Sequence, residues 1–381
     1  MKYFTSIFFS LIILLTSCQQ NKPVESQDGK EIPFACAQLV KVWECDGFKK
    51  LEIINPWDSA SLLQTYLLVD KTKELPSNLP DGVVIRTPLE KSAVFTTVHC
   101  SAIEELGAVN SIAGVTDLEY VSNPTVAELT KNGKIADLGS GMSPDVEKII
   151  TVSPDAILLS PFKNSGGHGE LDKLGTPIFE CADYMEREPL GRAEWIRVYG
   201  MLYGKESIAD SIFNNVSLIY NQIEIEANVR SRRDEASHVS DSVNFKPSVL
   251  YGIDFNGAWY VPGGKSYMTK MFASAGANYI FGETTHAGSE AFAFETVFDK
   301  GYDADVWLFL YNESADKTYK DLKRFEKFKS VKNRNVFACN TAKSHYYDEI
   351  PFHPERLLKD LSVIFNPDCE GKLIYYRNLA E

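Results

Sequence analysis

Histidine is the side chain in this sequence with the widest chemical range, because imidazole can bind metals and exchange protons near neutral pH. The six histidines are His99, His168, His238, His286, His345 and His353. Their spacing forms no H-E-x-x-H motif and no cluster, so it predicts no resident metal held by three or four protein ligands.

Glycine-rich stretches raise a second possibility, the binding of phosphate by backbone amides. Residues 166–169 (G-G-H-G) and Gly263-Gly264 match neither the P-loop motif nor the dinucleotide-binding motif. The sequence also lacks a G-x-S-x-G nucleophile elbow. We therefore expect no nucleotide site, no cofactor and no catalytic residues.

Two glutamates occupy matching positions in the two halves of the chain. Glu147 and Glu295 each precede an Asp-Ala pair by eight residues, at Asp155-Ala156 and Asp303-Ala304. Each glutamate stands where a helical period begins, and each Asp-Ala pair opens an apolar strand. Either the acids favour the positive end of a helix dipole, or the chain contains two related halves that each present one acid.

The N-terminus carries a modification motif. Lys2 precedes an apolar run over residues 3–15, and Leu15-Thr16-Ser17-Cys18 places small residues before a cysteine. This pattern is typical of a cleaved export signal after which the cysteine is lipidated. The run is shorter than the ~20 residues of a spanning helix. We predict a signal peptide over 1–17, a lipid on Cys18 as the only membrane attachment, and a flexible tether over 18–31.

The net charge and the cysteine content indicate which partners and which compartment suit the rest of the chain. The net charge of −13 argues against nucleic acid partners and against attraction to anionic lipid. Besides Cys18 there are Cys36, Cys45, Cys100, Cys181, Cys339 and Cys369. In an oxidising compartment these could pair, with Cys36–Cys45 and Cys339–Cys369 nearest in sequence, or they could remain buried thiols.

Hydrophobic periodicity divides the body of the chain into four parts. Residues 32–90 show short alternating runs, which predict small antiparallel strands that extend the N-lobe. Residues 91–205 and 245–381 alternate apolar strands with helical periods, which predicts two lobes with parallel sheets. Residues 206–235 predict one long linking helix, followed by a charged loop to about residue 244. The fold class is therefore α/β, with two Rossmann-like lobes joined by a backbone helix.

Several motifs in a fixed order make this sequence resemble a known family. They are G-S-G-M-S-P-D-V-E-K-I at 139–149, S-P-D-A-I at 153–157, P-L-G-R-A-E-W at 189–195, W-Y-V-P-G-G-K-S-Y at 259–267, A-G-A at 275–277 and Phe294-Glu295. The sequence resembles the helical-backbone (class III) periplasmic substrate-binding lipoproteins of ABC importers for cobalamin, ferric siderophores and haem. The likeness covers roughly residues 90–368.

The resemblance implies a function and partners. The ligand cleft lies between the lobes, and the protein captures an iron chelate or cobalamin without changing it. Glu147 and Glu295 would dock onto a permease dimer that works with an ATPase. The protein would be a monomer in the cell envelope, facing the periplasm or the outer side of the cytoplasmic membrane.

The ligand would contact loops at the carboxyl ends of the strands. The candidate contact residues are Trp259, Tyr120, Tyr347, Tyr260, Phe162, Met142, Tyr184, Tyr311, His99 and His286. Flat aromatic faces suit a bulky, partly apolar metal chelate. His99 or His286 could be an axial ligand, although a hydrogen-bonded loop histidine is the simpler interpretation. Lys163, Arg187 and Lys343 could balance an anionic siderophore or haem propionates.

Two alternatives remain open from the sequence. A lipid-anchored enzyme that modifies tetrapyrroles or inserts metals could also use paired lobes around a cleft. A chelate scavenger that works without a permease would share the anchor and the cleft but would not need the paired glutamates.

Overall fold

The computed structural model describes residues 29–163, 167–236, 246–312, 322–366, 369 and 371–379, with side chains of the linking helix given to residue 228. The predicted signal peptide and Cys18 lie outside the described residues, as do most of the predicted tether and residues 237–245. No helix in the described part is long and apolar enough to cross a bilayer.

An N-terminal sheet of five strands precedes the first lobe. Its strands are β1 (Lys30–Ile32), β2 (Val40–Glu44), β3 (Lys49–Ile54), β4 (Leu62–Asp70) and β5 (Val83–Thr87), paired in that order. The first four are antiparallel as expected, but β5 runs parallel to β4, which corrects the expectation of purely antiparallel strands. Alternate residues such as Val40, Val42 and Leu51 are buried in the core of the N-lobe, so this sheet is part of that lobe.

The N-lobe is built on a parallel sheet with helices around it. The strands are β6 (Ser92–Val94), β7 (Ile112–Val115), β8 (Ala136–Asp137), the short hairpin β9 (Gly139–Ser140) and β10 (Ser143–Pro144), β11 (Ala156–Leu159) and β12 (Ile178–Glu180). The sheet order is β12-β11-β6-β7-β8. The helices are α1 (Thr97–Glu105), α2 (Pro124–Lys131) and α3 (Val146–Val152). All four residues of β11 are buried, as expected of a strand covered on both faces.

Three helices lead from the N-lobe to the C-lobe: α4 (Pro189–Glu194), α5 (Ile196–Tyr203) and the long α6 (Glu206–Ala236). Ala209, Phe213 and Val216 of α6 belong to the N-lobe core. One turn later, Tyr220 belongs to the C-lobe core, with Ile223 packed against it. The same helix therefore contributes to both lobes, as the predicted linking helix requires.

The C-lobe repeats the parallel arrangement. Its strands are β13 (Ser248–Tyr251), β14 (Ile253–Phe255), β15 (Ala258–Pro262), β16 (Asn278–Tyr279), β17 (Ser289–Phe292), β18 (Val306–Tyr311), β19 (Val336–Asn340) and β20 (Tyr376–Asn378). Its helices are α7 (Tyr267–Ser274), α8 (Phe294–Gly301), α9 (Lys329–Lys332), α10 (Tyr346–Glu349) and α11 (Pro354–Phe365). The main sheet has the order β16-β13-β18-β19-β20, with only β20 antiparallel, and β14-β15-β17 form a separate antiparallel sheet. The two-lobe α/β fold predicted from the sequence is thus confirmed.

The six described cysteines are all free thiols, so neither candidate disulfide forms. Cys100 is buried in the N-lobe core, and burial raises its pKa to about 12. Cys339 lies on β19 in the C-lobe core, where burial raises its pKa to about 11. These cysteines serve as small apolar side chains.

Two buried carboxylates hold the segment between β1 and β2 against α4. Glu194 accepts hydrogen bonds from the backbone amides of Ala35, Cys36 and Ala37 at 2.7 to 2.9 Å. Glu186 accepts from the next two amides, those of residues 38 and 39, at 2.8 to 3.0 Å. The two side chains are 1 % and 3 % exposed. Five consecutive amides are thereby satisfied by Glu194 of the P-L-G-R-A-E-W motif and by Glu186, three residues before that motif.

Gly191 lets α4 approach this segment closely. A Cβ at this position would lie 2.8 Å from the carbonyl oxygen of Cys36, which real Cβ atoms do not tolerate. Gly191 thus makes room for the backbone at Cys36, whose amide Glu194 of the same motif binds.

The lobes also contact each other directly, through α1 and the start of α11. His353 Nε2 lies 2.8 Å from Glu105 of the N-lobe, and its Nδ1 lies 3.0 Å from Glu355 of the C-lobe. Burial alone would lower the pKa of His353, but its bonds to the two glutamates outweigh this and raise the pKa to about 9. At neutral pH a histidinium therefore bridges the lobes.

Replacement of Glu194 by alanine should lower the free energy of unfolding by about 3 kcal/mol, because three buried amides lose their acceptor. Urea denaturation followed by circular dichroism measures this change. Glu128→Ala, at an exposed position of α2, is the control and should change stability by no more than about 0.5 kcal/mol. A loss of less than about 1 kcal/mol for Glu194→Ala would contradict the structural role of this carboxylate.

The His353 bridge predicts a pH-dependent stability. Its folded pKa lies above the ordinary value of 6.5, so its contribution is complete below pH 6.5 and is lost as the pH rises through about 9. Urea denaturation at pH 6 and pH 10 should show that His353→Gln costs about 2 kcal/mol at the lower pH and little at the higher. An equal cost at both pH values would show that the charge of His353 does not stabilise the protein.

Candidate functional site

The loops at the carboxyl ends of the parallel strands form a cleft where the two lobes meet. Helix α1 begins directly after β6, and α10 follows β19 across the cleft. Thr97 of α1 donates a hydrogen bond from Oγ1 to Asp348 Oδ1 of α10 at 2.7 Å. This contact joins the N-lobe wall of the cleft to the C-lobe wall.

Large apolar side chains are exposed along both walls. On the N-lobe they are Tyr120, Met142, Phe162 and Tyr184, which follow β7, β9, β11 and β12. On the C-lobe they are Phe255, Tyr260 and Tyr347, with exposures of 64 %, 50 % and 55 %. Among the described residues, the only other exposed aromatic side chain is Tyr302. Exposed aromatic side chains concentrated in this way are typical of a ligand-binding face.

The N-lobe wall contains a cavity of about 510 Å³. Its lining includes Phe95, Thr96, Asp117, Met142, Phe162 and His168. His168 Nε2 lies 2.7 Å from Glu180 Oε1, and this hydrogen bond raises the pKa of the histidine. The cavity therefore combines an apolar surface with a few fixed polar groups.

The C-lobe wall contains a cavity of about 470 Å³. Its lining includes Tyr251, Phe255, Tyr260, Tyr267, Met268 and Tyr347. Burial raises the pKa values of Tyr251, Tyr267 and Tyr347, so their hydroxyl groups are neutral donors at physiological pH. This half of the cleft is dominated by aromatic rings.

The two cavities adjoin the contact between the lobes. Thr96 lines the N-lobe cavity and precedes Thr97, while Tyr347 lines the C-lobe cavity and precedes Asp348. The hydrogen bond between Thr97 and Asp348 thus stands between the two cavities. A ligand large enough to occupy both would span this contact.

The structure distributes the predicted contact residues unevenly. Met142 and Phe162 line the N-lobe cavity, and Tyr260 and Tyr347 line the C-lobe cavity. Tyr120 and Tyr184 are exposed on neighbouring strand-end loops, and His286 is exposed near the β17 strand. Ligand contact by these residues remains a prediction.

Trp259 was expected to be the leading ligand contact, and this expectation is wrong. Its side chain is fully buried and packs against Trp307 with ring centroids 5.6 Å apart, while its Nε1 donates to the Tyr251 carbonyl at 3.2 Å. Successive residues of a strand point to opposite faces, so β15 buries Trp259 and exposes Tyr260. Adjacent residues of this strand cannot both face the ligand.

His99 and Tyr311 are also buried rather than in the cleft. His99 is 1 % exposed, with Nε2 3.0 Å from Asp183 and Nδ1 2.8 Å from Thr96. Both ring nitrogens are therefore occupied, which corrects its assignment as a candidate axial ligand. Tyr311 is 5 % exposed, and Arg377 donates a hydrogen bond to its hydroxyl.

Sequence analysis missed several residues of the cavities, including Asp117, His168 and Phe255. Asp117 lies two residues after β7, and His168 lies in the glycine-rich loop, so the rule that strand ends form the cleft could have identified them. Phe255 precedes Asn256 and Gly257, whose positive φ angles of 54° and 85° form the turn between β14 and β15. The turn signal was visible, but which neighbouring side chain faces the cleft depends on the strand register.

The paired glutamates occupy equivalent places in the two lobes. Glu147 lies in the first turn of α3, which leads to β11, and Glu295 lies in the first turn of α8, which leads to β18. Both side chains are exposed. One acid on each lobe is therefore available to a partner, and docking through these acids remains a prediction.

Known proteins are similar to this chain in sequence or in fold. An uncharacterized lipoprotein of Methanocaldococcus jannaschii is 29% identical over 327 residues, covering 80% of this chain and 73% of its own. A possible iron-binding, periplasmic solute-binding protein from Staphylococcus epidermidis has a TM-score of 0.56 at 17% identity and covers 73% of this chain and 99% of its own. A periplasmic heme-binding protein from Pseudomonas aeruginosa has a TM-score of 0.56 at 14% identity, with coverages of 76% and 97%.

At such low identities the two solved structures establish the fold alone. The family assignment rests on the sequence profile of the periplasmic binding proteins, which matches residues 100–342. This match covers more than half of the chain and includes the linking helix and most of the residues that line the two cavities. The chain belongs to the periplasmic binding protein family.

Proposed function

We propose that this protein is the lipid-anchored receptor of an ABC importer, which captures a bulky metal chelate and delivers it to the permease. The chelate would be a ferric siderophore, haem or a cobalamin. The observation that carries the proposal is the concentration of exposed aromatic side chains at facing strand ends. Phe162 lines one cavity, and Phe255, Tyr260 and Tyr347 line the other, each cavity being within the usual size of small-molecule sites.

The nature of the walls favours a large ligand with flat or apolar faces. Aromatic rings provide stacking area, and the tyrosine hydroxyls and Thr96 can orient polar edges. The relative from S. epidermidis is described as possibly iron-binding, and the relative from P. aeruginosa as heme-binding. Both descriptions support a metal chelate as the cargo.

The linking helix favours capture without a large closing motion. Helix α6 packs into both cores, so the angle between the lobes is set by side-chain packing rather than by a flexible hinge. Such a receptor presents a partly preformed site, and the cargo would be released when the permease separates or distorts the lobes.

Docking would use the exposed glutamates, one on each lobe. Carboxylates can form bidentate pairs with arginine, and charged groups at the rim of an interface chiefly orient the partners. Glu147 and Glu295 would meet one permease subunit each. A lipid on Cys18 would keep the receptor at a high effective concentration beside that permease.

Titration of the purified soluble body with cobalamin, haem and ferric siderophores should quench its intrinsic fluorescence with at least one of them. For the ligand that binds, Tyr347→Ala should raise Kd about tenfold, because a ring that lines the C-lobe cavity is removed. Tyr302→Ala removes an aromatic side chain of similar exposure away from the cleft and should leave Kd unchanged. The proposal fails if no member of the panel binds.

Reversal of both docking acids, Glu147→Lys with Glu295→Lys, should abolish uptake of the cargo by cells while leaving its affinity for the purified protein intact. Uptake of the radiolabelled cargo and titration in solution measure the two properties separately. Glu128→Lys is the matched charge control. Unchanged uptake in the double variant would remove the docking role and favour a scavenger that works without a permease.

A further inference from the structure

The two cavities of the cleft differ from each other in their ionisable groups. In the N-lobe cavity these groups are Asp117, His168 and Glu170, and in the C-lobe cavity they are tyrosines. Lys163, Arg187 and Lys343, which were expected to balance an anionic ligand, are exposed on strand-end loops and are not part of either lining. Within the part of the chain that the structure describes, the two carboxylates that line these cavities, Asp117 and Glu170, share the lining with no lysine or arginine.

Two of these three ionisable groups have a partner of the opposite type. His168 contacts Glu180 at 2.7 Å, and Glu170 contacts Lys173 at 2.6 Å. Their charges are largely balanced within the protein. Asp117 differs, because its described hydrogen-bond partner is the uncharged backbone amide of Gly141, which donates to Oδ2 at 3.0 Å.

The backbone fixes the position of Asp117. Its φ angle of 49° lies in the left-handed region, and its side chain is half-buried beside the β9 strand. A Cβ on Gly141 would lie 2.7 Å from Asp117 Oδ2, so a larger residue at this position would shift the carboxylate. The carboxylate is thus held against the cavity by the chain itself.

We propose that the cargo of this protein carries no net negative charge, and that Asp117 faces a neutral or cationic edge of the bound chelate. The inference rests on the proposed function and specifies the charge class of its ligand. The aromatic walls also favour a cationic ligand over an anionic one, because the faces of aromatic rings attract cations. An anionic chelate would leave its charge unpaired beside Asp117 in a partly desolvated cavity.

A matched series of ligands tests the charge class on the unmodified protein. Ferric desferrioxamine B is positively charged through its terminal ammonium, its N-acetyl derivative is neutral, and its N-succinyl derivative is negatively charged. Haem and its dimethyl ester form a second pair, and cobalamin and a monocarboxylic acid derivative form a third. Isothermal titration calorimetry at low and high salt gives Kd for each member.

Within each scaffold that binds, the less negative member should bind more tightly. For the desferrioxamine complexes we expect about a tenfold difference in Kd between the positive and negative members, reduced at high salt. Binding without this order, or tighter binding of the negative members, would overturn the charge assignment but leave the proposed function standing. If no member of any scaffold binds, both the proposed function and the assignment fail.

The variant Asp117→Asn tests whether Asp117 causes the preference for less negative ligands. Asparagine tolerates the left-handed conformation and keeps an acceptor for the Gly141 amide. The ratio of Kd values between the negative and positive members should fall toward one in this variant and stay at the wild-type value in Glu128→Gln. An unchanged ratio in Asp117→Asn would overturn the role of Asp117, and the ligand series remains decisive should the variant fail to fold.

Discussion

The architecture depends on one helix that belongs to two hydrophobic cores. Phe213 and Val216 of α6 are buried with the N-lobe, and Tyr220 is buried with the C-lobe. The boundary between the cores falls within about one helical turn. A rotation of the lobes would therefore have to unpack apolar side chains, which costs far more than a change in a few loop dihedral angles. The cleft is consequently a property of the folded core and does not need the ligand to create it.

The contacts between the lobes outside α6 are polar and refine this geometry. The Thr97 to Asp348 hydrogen bond and the His353 bridge to Glu105 both join α1 to the segment around α10. Charged and hydrogen-bonded contacts of this kind can break individually at moderate cost. The apolar packing around α6 thus resists rotation of the lobes, and the polar contacts between the lobes permit small adjustments around a cargo.

Much of the fold could be predicted from the sequence because its signals are periodic. The spacing of Ile212, Val216 and Ile223 identified the linking helix, and the alternation of strands with helices identified the two parallel sheets. The site could be predicted only in outline. The rule that strand ends form the cleft correctly indicated which loops face it, but it could not decide between neighbours such as Trp259 and Tyr260.

Two of the residues that sequence analysis misjudged share a physical cause. His99 and Tyr311 are polar side chains with hydrogen-bond partners that are distant in sequence, Asp183 for His99 and Arg377 for Tyr311. Those partners satisfy the polar atoms and allow burial. The same holds for Glu194, whose acceptor role toward residues 35–37 joins positions more than 150 residues apart. No local pattern in the sequence carries that information.

The hydrogen bonds that Glu186 and Glu194 accept from the backbone of residues 35–39 have a mechanical consequence. In the proposed anchored protein, any pull from the membrane enters the body at β1 and reaches residues 35–39 next. There the force passes through six hydrogen bonds to Glu194 in α4 and to Glu186 just before it, and α4 contacts the linking helix. These bonds would share the load, since five amides are held side by side. Tension on the tether would thus be carried by the structural spine and would leave the walls of the cleft undistorted.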